Sequence, residues 1–226
     1  MTVPLQDDSR QRRFVLANTR LERPPHVPEV QLLLAEDVTT VWQRTEDELG
    51  GPGREPPYWA SAWAGGQAVA RYLLDHPRVV AGRSVLDLAS GSGLCAIAAA
   101  KAGASSVTAS DIDELSVVAI TENAAVNGVV VHAVLQDVLV AEPPEVGLVL
   151  AGDVSYERGM TERVFRWLRS CRSRGINVLV GDPGRAFLPR SGLVEVARYE
   201  ITGDPTLENA GVRHAAVFTL DEPPRG

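Results

Sequence analysis

From residue 60 onward, short apolar runs alternate with longer segments of helical periodicity. The runs are "SVLDLA" (84–89), "SVTAS" (106–110), "VVVHAVL" (129–135), "VGLVLAG" (146–152) and "INVLVGD" (176–182). Apolar stretches of this length between turn-forming residues predict buried strands. Between them lie an Ala-rich segment at 93–102 closed by Gly103, a segment at 113–128 with Asp113 as cap and Gly128 as stop, and a segment at 159–173. All three read as helices. "SAWAGGQAVARYLLDHP" (61–77) predicts another helix, ending before Pro77 because a proline restricts the residue before it. "LVEVARYEI" (193–201) and "RHAAVFTL" (213–220) are two alternating runs with no helix between them, which requires an antiparallel hairpin.

The first quarter of the chain is less regular. Residues 1–28 are polar, charged and interrupted by Pro4, Pro24, Pro25 and Pro28. They read as an extension, partly flexible, with a short helix at 10–19. "VQLLLA" (30–35) fits a short strand or a buried turn. Residues 37–49 predict a helix with Asp37 as cap, and "GGPGREPP" (50–57) a loop.

Strand–helix alternation implies a parallel sheet with right-handed crossovers. The expected fold class is therefore α/β. It is a Rossmann-like, mostly parallel seven-stranded sheet with helices on both faces and a C-terminal antiparallel hairpin. The expected division is an extension at 1–28 and one domain at 29–226. Within the domain, 29–80 forms an N-terminal cap with helices and 81–226 the core. A length of 226 residues and a hydrophobic content of 45% suit one core.

Charge and composition narrow the function. The net charge of −7 argues against a nucleic-acid partner, since binding phosphates needs a basic surface. Arg163, Arg166, Arg169, Arg172 and Arg174 recur at helical spacing and read as a solvated helix face. No apolar stretch approaches the ~20 residues of a membrane span, and no secretory signal pattern opens the chain. The expectation is a cytoplasmic protein, with no membrane partner and a monomer favoured. Cys95 and Cys171 form no CxxC pair, and the four histidines show no ligand spacing, so no metal is expected.

The candidate chemistry lies in "SVLDLASGSGLCAIAAAKAGASSVTASDID" (84–113). Gly91, Gly93 and Ala96 satisfy a relaxed dinucleotide fingerprint, and Asp111 stands 20 residues after Gly91, where a ribose-binding acid belongs. The glycines alone leave both NAD and S-adenosylmethionine open. Three acids favour the second. Asp87, at the end of the first strand of the core, would repel a pyrophosphate but suits a cationic amino-acid moiety. Asp137, after the third, can accept from the adenine amine. Between them stands Asp111, after the second. Each acid taken singly could equally cap a helix. "GDVSY" (152–156) then follows the fourth strand, where ligands meet the strand ends of a parallel sheet.

At this point the sequence resembles a family. "VLDLASGSG", "SDID", "GDVSY" and "VGDPGR", with "PYWASAWAGGQAVARYLLDHP" upstream, resemble the electron transfer flavoprotein β-subunit lysine methyltransferases. These are class I, seven-β-strand enzymes with a D-x-x-Y motif. The resemblance covers residues 28–220 and implies the following roles. Trp63 lies against the cofactor S-adenosylmethionine. Asp87, Ser90, Gly91 and Gly93 surround its methionine half, Asp111 its ribose and Asp137 its adenine. Asp153 and Tyr156 are catalytic and border the entry of the target lysine of the flavoprotein subunit. Asp153 would attract and orient the amine. Ala89 and Ala64 stand where the family usually has Gly and Pro. Val154-Ser155 replaces a bulkier pair, a change expected at the substrate gate. Other acceptors, such as a ribosomal protein or a small molecule, and a module that binds cofactor without transfer are the alternatives. "EPPYW" (55–59) looks like a base-methylating motif but precedes the glycine loop, so it reads as a turn into the Trp63 helix. Asp182 and Arg185 suit either an ion pair that fixes their loop or contact with the substrate.

Overall fold

The apolar runs lie side by side in one sheet. The computed structural model describes residues 8–50, 55–202 and 212–221. Its helices are α1 (Asp8–Asn18), α2 (Val38–Leu49), α3 (Ala64–Asp75), α4 (Leu94–Lys101), α5 (Glu114–Val126) and α6 (Arg158–Ser173). Its strands are β1 (Arg20–Glu22), β2 (Leu32–Leu34), β3 (Ser84–Leu88), β4 (Ser106–Asp111), β5 (His132–Leu135), β6 (Leu148–Gly152), β7 (Asn177–Asp182), β8 (Leu193–Thr202) and β9 (Val212–Leu220). The seven-stranded sheet has the order β5-β4-β3-β6-β7-β9-β8. β3 to β7 run parallel, and β9 is antiparallel to both β7 and β8. The chain leaves β3 for β4 on one side and returns for β6 on the other. Such a switch point opens a crevice at the strand C-termini.

Both faces are covered, as alternating side chains require. Val85, Val107, Leu148, Leu150, Leu179 and Val217 pack under Ala68, Val69 and Leu73 of α3 and Ala96 and Ala99 of α4. On the opposite face, Leu86, Val149, Val178 and Val180 meet Val164, Phe165, Trp167 and Leu168 of α6. Asp37 and Asp113 cap their helices as expected, accepting from the Thr39 and Leu115 amides at 2.9 Å.

Three local features differ from the sequence pattern. The strand expected at 129–135 forms only over 132–135, because the Val129 amide still donates to Ala124 O, closing α5. α3 begins at Ala64, three residues later than the pattern suggests, because Tyr58–Ala60 forms a 3₁₀ turn first. β1, which the sequence did not signal, pairs antiparallel with β2.

Residues 8–28 pack against the rest of the fold. Phe14 and Val15 are buried with Leu115, Val118 and Ala119 of α5. The Arg12 guanidinium donates to both oxygens of Glu122, at 2.6 and 3.0 Å. Of the extension expected at 1–28, partly flexible, residues 1–7 lie outside the described residues, as does the loop joining β8 to β9.

The N-terminus of α3 lies backbone against backbone on β6 and β7. A Cβ on Gly181 would overlap the Gly65 carbonyl, and one on Gly65 would stand 2.6 Å from Asp153 Oδ2. A Cβ on Gly152 would reach the Gly66 Cα at 2.9 Å. Gly66 itself has space, its nearest neighbour being Cys95 Sγ at 3.9 Å. The two glycine motifs, "GGQ" upstream and "GD" after β6 and at the end of β7, are therefore two sides of one contact. Gly65→Ala should cost about 1–3 kcal/mol by overpacking. Gly66→Ala, one residue on, should be neutral or stabilise by up to about 1 kcal/mol, as Ala does in a helix. Urea unfolding of the two variants checks this; equal losses would contradict the contact.

Candidate functional site

Two walls meet at the C-terminal ends of the parallel strands. The first is built by β3, β4 and the glycine loop. Asp87 is 1% exposed, and its Oδ2 accepts from Ser90 Oγ at 2.5 Å and from the Ala96 amide at 3.0 Å. It thus ties the end of β3 to the first turn of α4. Asp111, at the end of β4, accepts from the Gly91 amide on Oδ2 at 2.9 Å and from the Asp113 amide on Oδ1 at 3.0 Å. Gly91 and Gly93 have φ of 55° and 83°, which glycine adopts without strain. Ala89, where the family usually has Gly, is held at φ 52°, a conformation that costs a β-carbon about 1–2 kcal/mol.

This wall is acidic, and burial makes its carboxyls hold their protons more tightly than usual. Burial pushes the Asp87 carboxyl up to about 7; Ser90 and the Ala96 amide pull it down, and Asp111 raises it further. Asp111 is also raised, chiefly by burial, against the backbone amides that lower it. Two buried acids flanking a glycine loop fit a ligand with a positive charge and repel a pyrophosphate. Asp137 stands nearby, because the Gln136 amide donates to Asp111 O at 2.8 Å. Its own oxygens cap Leu139 N at 3.0 Å and pair with Arg163 Nη2 at 2.9 Å.

The second wall is built by β6, β7 and the entry to α3. Asp153, at φ 57°, follows β6 and is 6% exposed. Its Oδ2 accepts from the Gly65 amide and from the Gly66 amide, the latter at 3.1 Å. Its Oδ1 accepts from Arg185 Nε at 3.0 Å and Nη2 at 2.8 Å. A carboxylate at a helix N-terminus meets unpaired amides and the positive end of the dipole. Arg185 Cζ also lies 5.7 Å from the Trp63 ring centroid. Trp63 Nε1 donates to Tyr58 O at 2.8 Å. The Tyr58 ring lies 5.8 Å from that of Trp63 and 5.0 Å from that of Tyr156. Burial and the neighbouring Tyr58 raise the Tyr156 hydroxyl above the usual tyrosine range. Cys95 is buried, and its thiol is raised well above the usual range, first by burial and then by Asp87 and Asp153.

The structure brings Asp87, Ser90, Gly91, Gly93 and Asp111 together around one loop, and Trp63, Asp153 and Tyr156 into the facing wall. Several expectations change. Asp153 is no open carboxylate, since each of its oxygens already accepts from two donors. Arg185 turns to Asp153 rather than Asp182, and Asp182 Oδ1 accepts the Gly184 and Arg185 amides, each at 2.7 Å. Val154 and Ser155 are 1% and 0% exposed, so their substitution lies inside the fold and not at a gate. Tyr58 was read as part of a turn. The turn forms, but its ring joins the wall. Its position directly after two prolines and five before Trp63 was the available signal. Among the described residues, no group of three or more His, Cys, Asp or Glu side chains could hold a metal ion.

The ribosomal protein L11 methyltransferase (PrmA) family model matches residues 71–151. The electron transfer flavoprotein beta subunit lysine methyltransferase of Danio rerio is 36% identical over 92% of this chain and 82% of its own. The human protein of that name is 38% identical over 84% of this chain and 74% of its own. The chain belongs to the electron transfer flavoprotein β-subunit lysine methyltransferase family. It is a methyltransferase, and its fold agrees. A Pyrococcus horikoshii protein designated an RNA methyltransferase superposes with a TM-score of 0.53 at 15% identity, over 70% of this chain and 83% of that one.

The acidic wall of this methyltransferase has a pH signature. Asp87 binds its proton more tightly when folded (about 7) than when unfolded (~3.9). The native state therefore carries more protons than the unfolded state between those values, and stability falls as pH rises through that window. Compared with Asp87→Asn, the wild type should lose up to about 1.4 kcal/mol per pH unit between pH 4 and 7 and level off above 7. Denaturant unfolding at several pH values checks this; a parallel pair of curves would contradict it.

Proposed function

We propose that this enzyme transfers methyl groups from S-adenosylmethionine to a lysine side chain of the electron transfer flavoprotein β subunit. The observation that carries the proposal is the facing pair of walls: buried acids and a glycine loop on one side, a tyrosine–tryptophan wall on the other. Family membership supports lysine as the acceptor. The L11 methyltransferase match covers only residues 71–151, the part that builds the cofactor wall, and bears little on the acceptor.

The cofactor supplies a methyl group on a sulfonium, whose departure leaves a neutral thioether. In this reading Asp87, Ser90, Gly91 and Gly93 surround its methionine half, and the two acids complement its positive charge. Asp111 takes the ribose hydroxyls and Asp137 lies beside the adenine. Trp63 flanks the bound molecule from the opposite wall.

Tyr156 and Tyr58 border the lysine. A lysine amine has a pKa of ~10.4 and must lose a proton before it attacks. With its hydroxyl raised, Tyr156 stays protonated and orients the amine as a hydrogen-bond partner; the proton leaves through water. Aromatic faces also attract an ammonium group. Asp153 acts as a positioning residue: it fixes the α3 terminus and Arg185, and through them the wall. Alignment of amine, methyl and sulfur is then the main source of rate. The picture also keeps a cytoplasmic monomer with neither nucleic acid nor membrane as partner.

Intact-mass analysis of recombinant flavoprotein β subunit, incubated with enzyme and S-adenosylmethionine, tests the proposal. Gains in whole methyl steps are expected, and no gain would discard the acceptor. Asp111→Asn should weaken adenosylhomocysteine binding about tenfold or more in calorimetry, since a hydrogen bond to a charged acceptor is worth about 1.5–3 kcal/mol. Unchanged affinity would remove Asp111 from the ribose.

A further inference from the structure

A groove lies beyond β7, on the face of the sheet away from α3. His214, Ala216 and Phe218 alternate onto one face of β9, while Ala215 and Val217 point into the core under α3. Where the chain turns from β7 toward β8, that face borders a cavity of about 550 Å³, lined among others by Asp182, Leu188, Glu195, Arg198, His214 and Phe218.

The floor of the groove carries an unpaired charge acceptor. Asp182 is 1% exposed. Its Oδ1 is taken by the Gly184 and Arg185 amides, but its Oδ2 has no hydrogen-bond partner. A buried carboxylate oxygen without a donor is costly, and native structures supply a partner from protein, water or ligand. The other charges in the groove offset each other: Arg198 Nε donates to Glu195 Oε1 at 2.9 Å. What remains is the negative charge of Asp182 between the apolar flanks of Leu188 and Phe218. This suits a long side chain with an apolar stem and a cationic head. The same turn carries Arg185, which pairs with Asp153, so one turn of chain joins the groove to the wall that faces the acceptor.

We propose that this groove binds a second basic side chain of the acceptor protein, an arginine or lysine near the target lysine, with Asp182 as its counter-ion. The inference rests on the acceptor being a lysine-bearing protein, as proposed above. It makes Asp182 a determinant of which protein is methylated, separate from the residues that align the methyl group.

Two arms test it with the full-length enzyme. In the first, N-acetyl-argininamide is titrated while the His214 ring is followed by NMR. A saturable shift is expected in the wild type and at least a tenfold weaker one in Asp182→Asn. No shift in the wild type, or equal shifts in both, would overturn the groove as a cation site. In the second, Glu195→Lys replaces the negative partner of Arg198 by a positive charge at an exposed position. The KM for the flavoprotein β subunit should rise about tenfold with kcat within twofold and adenosylhomocysteine affinity unchanged. An unchanged KM would overturn the link to the acceptor. If the probe binds but the wild type methylates no flavoprotein β subunit, the cation site stands and the acceptor assignment fails.

Discussion

Asp153 joins three parts of the chain that are far apart in sequence. It follows β6, accepts from the first amides of α3, and pairs with Arg185 after β7. A buried ion pair is a poor source of net stability, yet losing one partner leaves an uncompensated charge and is strongly destabilising. The geometry is also demanding. Asp153 sits at positive φ, and α3 can approach only because Gly65, Gly152 and Gly181 lack side chains. This one carboxylate therefore holds the start of α3 against the ends of β6 and β7, directly after Trp63.

The rest of the site follows from that placement. The glycine loop and its acids form a wall that welcomes positive charge, and the aromatic rings form the other. The groups on the acceptor side offer no strong base. The tyrosine hydroxyl is shifted up, the thiol of Cys95 is buried, and Asp153 is engaged. A displacement with a neutral leaving group needs little acid–base chemistry but strict alignment, and rigid backbone-to-backbone packing is one way to provide it. The site itself holds strained backbone, at Ala89 beside the glycine loop and at Asp153.

Much of this was legible in the sequence. The five parallel strands and the terminal hairpin were readable because buried strands announce themselves as apolar runs between glycines. Asp87 and Asp111 were found because acids at strand ends stand out against such runs. Ala64, in the family's Pro position, proves to be the first residue of α3, where proline is favoured for its fixed φ. Other features left no local trace. Strand β1 is three exposed residues whose only reason to be extended is β2. Tyr58 left only the faint signal of its place after two prolines and five before Trp63, because its ring contacts are not reported by any periodicity. Asp153 looked free because a sequence shows a carboxylate but not the donors that fold brings to it.

The structure of the enzyme with adenosylhomocysteine and a lysine-containing acceptor tests the central claim most directly, namely that Asp153 works by position. The account predicts that its carboxylate keeps the Gly65 and Gly66 amides and Arg185 while the amine lies beside Tyr58 and Tyr156. If Asp153 instead releases Arg185 and grips the amine, it is a direct ligand of the substrate, and the account of the second wall is wrong.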